Sequence, residues 1–165
     1  MKEQGKGGSI VSMSSIAAIQ AGLSSPSYDA AKSGVLQIAR TATYELAPYR
    51  IRSNVIMPGL ILTPIMAKGT DLDPAQYPAF VEALKEPLGA LHPIGRAGLP
   101  RDLANAALFF ASDRSEFVTG QNIAVDGGIT SVSNRDMGAV VGQAFAAMNV
   151  TVDPNFSAAA KQTTR

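Results

Sequence analysis

Apolar positions along this chain recur with two periods, and the switches between them predict its elements. "GGSIVSMSS" is a short β-rich run held between glycines and serines, which predicts a buried strand over about Ser9 to Met13. A loop follows. A helix then opens near Ser25 or Ser27, because serine is a good N-cap, Pro26 suits the first turn and Pro48 discourages helix at Ala47. Within it Ala31, Val35, Ala39, Ala42 and Leu46 stand three or four apart and form one small-residue stripe that permits close packing. "IRSNVIMPG" is nearly continuous in apolar character, so it reads as a second strand, covered on both faces and ending at a Pro-Gly turn.

From Leu60 to Leu99 the chain is rich in proline and glycine, a long excursion with one helix predicted near Pro74 to Leu84. A further helix is expected from about Arg101 to Ser112, with Leu103, Ala106, Ala107 and Phe110 on its apolar face. "QNIAVDGG" reads as a third short strand closed by a turn. Strand and helix thus alternate over residues 9 to 128, the signature of an α/β protein with a parallel sheet. The expected organisation is one domain over residues 1–130 and an extension over 131–165. In that extension Met137, Val140, Val141, Ala144, Phe145 and Met148 fit a short amphipathic helix, and "PNFSAAAKQTTR" reads as a frayed end.

Composition narrows the function. With 46% apolar residues in 165, the chain supports a single packed core. Its 14 Lys and Arg nearly balance 13 Asp and Glu and no basic block appears, so no nucleic-acid partner is expected and a small molecule or a protein is favoured. The absence of cysteine removes disulfides, thiolate chemistry and zinc-thiolate sites, and no metal site is assigned. The N-terminus starts with lysines like a secretory signal, but Ser9, Ser12, Ser14, Ser15 and Gln20 interrupt the apolar run such a signal needs. No stretch approaches the ~18 continuous apolar residues of a membrane span. The expected location is therefore cytoplasmic, with no membrane partner.

One stretch, "SIAAIQAGLSSPSYDAAKSG", carries candidate chemistry. Tyr28 and Lys32 lie one helical turn apart, with Cβ atoms expected roughly 5 to 6 Å from each other. A phenol is a poor acid or base at neutral pH, but a neighbouring ammonium favours its phenolate form, which makes the phenol a plausible proton-transfer group. A hydroxyl from Ser15 or Ser14, where the chain leaves the first strand, would then hold a substrate oxygen in reach. The pair alone more commonly means a ring edge packed beside an alkyl stem. The surrounding motifs change those odds.

"GSIVSMSS", then "YDAAK" with its tyrosine thirteen residues after Ser15, then "IRSNVIMPGLILTP", then "HPIGRAGLPRDLANAALFFASDRSEFVTGQNIAVDGG", resemble in motif and order the C-terminal half of the short-chain dehydrogenases/reductases (SDR family). The resemblance covers about Gly7 to Gly128. It implies a Rossmann-like doubly wound parallel sheet, of which about three strands with flanking helices are present, and an oxidoreductase that uses NAD or NADP to interconvert a secondary alcohol and a ketone. By the same resemblance Tyr28 is the general acid/base, Lys32 tunes it and binds the nicotinamide ribose, and Ser15 positions the reacting oxygen. Pro58, Gly59, Ile61 and Thr63 would border the nicotinamide, although Pro58 and Gly59 also turn the chain and Thr63 also suits a helix cap. Residues Pro64 to Gly95 would form a substrate-side lid. In and around it Leu60, Ile65, Met66, Phe80, Leu84 and Leu91 either wall a substrate site or form core. His92, the sole histidine, is read as a solvated loop residue, and Asp126 to Gly128 as a turn first. The family also implies a homo-oligomer, paired through the helix bearing Tyr28, which the Ala31 to Leu46 stripe suits.

The sequence departs from the family in one large respect. A dinucleotide site needs a strand, a glycine-rich turn and a helix N-terminus around the pyrophosphate, yet no G-x-G-x-x-G or TGxxxGxG pattern occurs, and "GKGG" precedes a strand instead of following one. These residues are therefore expected to represent part of a longer dehydrogenase, or a shortened relative acting without catalysis through oligomerisation. They are also expected to leave the first strand with an unpaired edge.

Overall fold

The structure, a computed structural model, describes residues 1–67 and 72–132. Packing divides the chain into compact units 1–131 and 132–165. The helix expected over 137–148 falls outside the described residues.

The element order is β1 (Gly8–Met13), α1 (Pro26–Leu46), β2 (Ile51–Pro58), α2 (Tyr77–Ala83), α3 (Lys85–Leu91), α4 (Pro100–Ala111) and β3 (Asn122–Val125). The three strands form one parallel sheet in the order β1-β2-β3, with Met13 opposite Ile56 and Pro58 opposite Val125. This is the Rossmann-like, doubly wound α/β arrangement, and β1 forms one edge of the described sheet. No described helix is long and apolar enough to cross a membrane.

Side chains alternate along β2, so its two faces are covered by different helices. Val55 and Met57 join Leu36 and Ala39 of α1, with Ile16 and Ile129, in the main apolar cluster. On the other face, polar side chains fasten β2 to α4 and the segment after it. Arg52 donates to the Phe110 and Ser112 carbonyls and to the Ser115 hydroxyl at 2.8, 3.1 and 2.7 Å. Asn54, fully buried, donates to the Val118 carbonyl at 2.8 Å and accepts from the Gln121 N–H at 3.0 Å. A strand whose apolar run suggested simple burial thus uses a polar residue in the run to guide the chain into β3.

Helix α1 starts as its residues dictate. Ser25 accepts from the Tyr28 N–H, Pro26 occupies the first turn, and Arg50 takes a left-handed conformation (φ 56°) after the short 3-10 turn Ala47–Tyr49. The predicted stripe lies mainly inward: Ala39 is buried and Val35, Ala42 and Leu46 are half-buried, leaving only Ala31 exposed. The stripe therefore serves the sheet, and a partner surface must be sought on the opposite face of the helix.

The excursion has its own small core, in which Leu62, Leu88 and Ala97 are joined by Leu60, Val81, Leu84 and Leu99. The helix expected at 74–84 is resolved into a 3-10 turn Pro74–Gln76 and α2, and α3 follows, a helix that the proline and glycine content concealed. Because α3 ends at His92, the histidine is not solvated. It is 4% exposed, and since its Nδ1 faces the Leu88 carbonyl, which can only accept, Nδ1 is the donor. The 126–128 turn closes over the ring, so near that a Cβ on Gly127 would stand 2.9 Å from His92 Cδ2.

Replacing Asn54 with alanine strands two part-buried backbone groups, the Val118 carbonyl and the Gln121 N–H, at about 1–3 kcal/mol each. Urea unfolding is expected to show a loss of about 2–5 kcal/mol, whereas a loss below about 0.5 kcal/mol would mean that the Asn54 bridge is not structural.

Candidate active site

The strands all end at one edge of the sheet, and there the chain turns away from β1 through Ser14 and Ser15 and from β2 through Pro58 and Gly59. The Ser14 N–H still donates to the Ile56 carbonyl at 2.8 Å, which extends the ladder by one residue. Its buried hydroxyl donates to the Lys32 carbonyl at 2.7 Å, so Ser14 locks the loop to α1. Ser15, one residue on, accepts from the Ala17 N–H at 3.2 Å and caps the 3-10 turn Ile16–Ala18. Its own O–H proton has no acceptor among the described residues.

Tyr28 stands in the first turn of α1 and Lys32 one turn further on. The Lys32 ammonium lies 5.6 Å from the Tyr28 ring centroid and donates to the Met13 carbonyl at 3.3 Å, at the end of β1. A cation within ~6 Å of a ring is attracted to its face. The amine is thereby held between the phenol and the strand end.

Across the opening, Gly59 lies against Asp126, where a Cβ would come within 2.7 Å of the aspartate backbone. Only glycine fits that approach. Downstream, Ile61 bridges to Gly98: the Leu62 N–H donates to the Gly98 carbonyl and the Gly98 N–H to that of Leu60. The Ile61 N–H has no partner among the described residues. The Thr63 hydroxyl makes a long 3.5 Å contact with the Ile61 carbonyl.

Ser15, Tyr28, Lys32, Pro58, Gly59, Ile61 and Thr63, the full set singled out in the sequence, line one cavity of about 540 Å³. Ser14 joins them with its hydroxyl already committed. Of the apolar wall expected from the excursion, Leu60 and Ile65 reach this cavity; Leu84 belongs to the excursion's own core and Leu91 is exposed. Met13, Ile16, Leu23, Ser24 and Leu103 are among the further lining residues, at positions without a site signal in the sequence. Apolar residues in a helix or strand exit carry no mark that separates cavity wall from core.

A second cavity of about 550 Å³ shares Ile61 and is lined by His92, Arg96, Asp102 and Asp126. Burial opposes ionisation of Asp126, but hydrogen bonds from the Thr130 hydroxyl and from the Thr130 and Gly128 N–H groups hold its carboxyl below its ordinary value. Asp102 is held lower, at about 2, first by the hydrogen bonds from Arg96 (2.7 and 3.0 Å) and then by the Leu99 N–H at 2.8 Å. That last bond also serves the N-terminus of α4.

A parallel sheet whose crossing helix brings a phenol, an ammonium and a serine hydroxyl to the carboxyl ends of its strands defines a class of α/β proteins that bind ligands at that edge. The comparisons agree with it. A family model described as enoyl-(acyl carrier protein) reductase matches residues 1–130. L-rhamnose 1-dehydrogenase (NAD(P)(+)) of Azotobacter vinelandii is 39% identical over 129 residues, covering 78% of this chain and 47% of the relative. The 3-oxoacyl-[acyl-carrier-protein] reductase of Thermotoga maritima is 38% identical over 124 residues, 75% of this chain and 46% of that one. An oxidoreductase of the same family from Burkholderia thailandensis, solved by crystallography, superposes with a TM-score of 0.69 at 32% identity, over 87% of this chain and 51% of that one. The chain belongs to the short-chain dehydrogenase/reductase family. It spans about half the length of the relatives it matches.

The Asp102 carboxyl titrates lower in the fold than its ordinary value of about 3.9, so its stabilising contribution is complete above about pH 4 and is lost as the pH falls through about 2. The gap in urea midpoint between the protein and its Asp102→Asn variant is expected to be largest at pH 5 and to narrow towards pH 2. A gap that stays constant over that interval refutes the assignment.

Proposed function

We propose that this chain carries the catalytic and substrate-binding half of an NAD(P)-dependent oxidoreductase that interconverts a secondary alcohol and a ketone. The observation that carries the reading is the convergence of Ser15, Tyr28, Lys32, Pro58, Gly59, Ile61 and Thr63 on one cavity. The dehydrogenase and reductase activities named for the relatives support it.

The residues present fit the nicotinamide end of such a cofactor. Tyr28 and Lys32 present hydroxyl and ammonium donors suited to ribose oxygens, and the unpartnered Ile61 N–H suits a carboxamide oxygen. When bound, the nicotinamide supplies or accepts the hydride. The protein's part is proton management. Ser15 donates its free O–H proton to the substrate oxygen and holds it against the phenol. In the reducing direction Tyr28 gives its proton to that oxygen, and in the oxidising direction it takes one back. The Lys32 ammonium stabilises the negative charge left on the phenol oxygen, and its bond to the Met13 carbonyl keeps it from swinging into solvent.

Subunit association is a second proposed property, favoured by the outward face of α1. There Ile38 and Tyr44 are 71% and 85% exposed, and Gly34 has open space where a Cβ would stand.

Two measurements test these readings. With NADH or NADPH supplied, and with the cofactor-binding half of a family member added in trans, ketone reduction is expected to fall roughly 10²- to 10⁴-fold in Tyr28→Phe; turnover indifferent to that change sinks the catalytic assignment. Light scattering is expected to show an oligomer that Ile38→Glu dissociates, and a monomeric parent would remove the association reading.

A further inference from the structure

We propose that the cavity beside Tyr28 takes an uncharged ketone or alcohol carried on a hydrocarbon frame, and discriminates against polyols and carboxylates; this rests on the oxidoreductase reading above and names its substrate class. The argument is a count of spare polar groups. A polyol placed in the cavity loses water from each hydroxyl, and each one left unpaired weakens binding about five- to 150-fold. Six described side chains of the lining carry polar atoms: Ser14, Ser15, Ser24, Tyr28, Lys32 and Thr63.

Most of these are already engaged. The Ser14 hydroxyl donates to the Lys32 carbonyl and the Thr63 hydroxyl leans on that of Ile61. Ser15, Tyr28 and Lys32 are directed at the one reacting oxygen and its proton. Among the described side chains Ser24 alone remains for any further hydroxyl, the free Ile61 N–H being assigned above to the carboxamide. No Asp, Glu, Asn, Gln, Arg or His lines the cavity among the described residues, so a sugar finds neither the carboxylates nor the amides that pair vicinal hydroxyls. Among the described residues of the lining, a carboxylate finds no cation except the lysine held at the β1 end.

The rim supplies an independent observation. Met13, Leu23 and Ile65 line the cavity and remain 44%, 39% and 63% exposed. Three large apolar side chains around one opening present surface that a hydrocarbon frame would cover, while the buried Ile16 lies deeper. Covering such surface is worth about 25 cal/mol per Å², enough for roughly tenfold in affinity from one well-covered leucine or isoleucine.

Saturation-transfer NMR on the full chain, with 4-tert-butylcyclohexanone, L-rhamnose and cyclohexanecarboxylate as probes, tests the assignment. The cyclohexanone is expected to bind at least about tenfold more tightly than either other probe. Leu23→Asn and Ile65→Asn, at exposed positions where the fold tolerates them, should each weaken it about three- to tenfold with melting unchanged. Equal or tighter binding of rhamnose or the carboxylate, no binding of any probe, or ketone binding indifferent to both substitutions overturns the proposal. The two readings fail separately. Tyr28-dependent reduction that favours a sugar substrate over the cyclohexanone sinks the substrate class alone, whereas the expected binding contrast beside turnover that ignores Tyr28 sinks the catalytic reading alone.

Discussion

Parallel pairing of β1 with β2 is the constraint from which the rest of this structure follows. Because the strands run in one direction and are held in register, with Met13 facing Ile56, their carboxyl ends meet at a single edge. Two chain exits, through Ser14-Ser15 and Pro58-Gly59, are thereby brought face to face although more than forty residues separate them. A parallel pair needs a crossover, and here α1 makes it. The crossover passes the same edge, so its first two turns hang Tyr28 and Lys32 over the gap. Two bonds to the helix then fix the height: Ser14 hydroxyl to Lys32 carbonyl, and Lys32 ammonium to Met13 carbonyl. The cavity is consequently built on sheet and helix backbone, where positions are set to fractions of an ångström, and only its far wall depends on the excursion.

The two walls differ in kind. Behind β2 the polar struts of Arg52 and Asn54 satisfy buried carbonyls and N–H groups of α4 and of the approach to β3, and a fully satisfied buried network resists deformation. The excursion has a small core of its own around Leu62, Leu88 and Ala97, and its two ends are joined by the Ile61 bridge to Gly98. The Ser15, Tyr28 and Lys32 part of the cavity thus rests on sheet and helix, while Leu60 and Ile65 come from a separately packed segment. Changes in Ile65 or its neighbours can alter what is bound without moving the phenol.

How much of this could be read from the sequence depends on whether the signal was local. Strand β1, the capped start of α1, the Pro-Gly exit of β2 and the short β3 were legible because period, cap and turn residues lie within a few positions of one another. Tyr28, Lys32 and a nearby serine were legible from helical spacing and the strand exit, whereas Pro58, Gly59, Ile61 and Thr63 came from the family resemblance, and the fold brings them all to one cavity. What escaped was non-local. Helix α3 hides in a stretch broken by prolines, and its stability comes from Leu88 packing on Leu62 and Ala97, contacts no window displays. His92 follows from it: once α3 exists, its last turn carries the ring under the 126–128 turn. The inward orientation of the Ala31 to Leu46 stripe was equally invisible, because a helix with small residues on one face and Ile38 and Tyr44 on another offers two surfaces, and only the sheet decides which is used.

The division of labour between the two serines shows how finely the strand exit sets the chemistry. Side chains alternate along an extended chain, so neighbouring residues at a strand end point to opposite sides. Ser14 still belongs to the ladder through its N–H to Ile56, and its hydroxyl is driven under α1, where it is consumed. Ser15 has an extended backbone and faces the other way, and its acceptor lone pair caps the next turn while its proton stays available. Slipping the β1–β2 register by one residue would move both serines off these positions at once. A pair of adjacent serines therefore does two jobs that one could not, and the register that assigns them is the same one that aligns the strand ends.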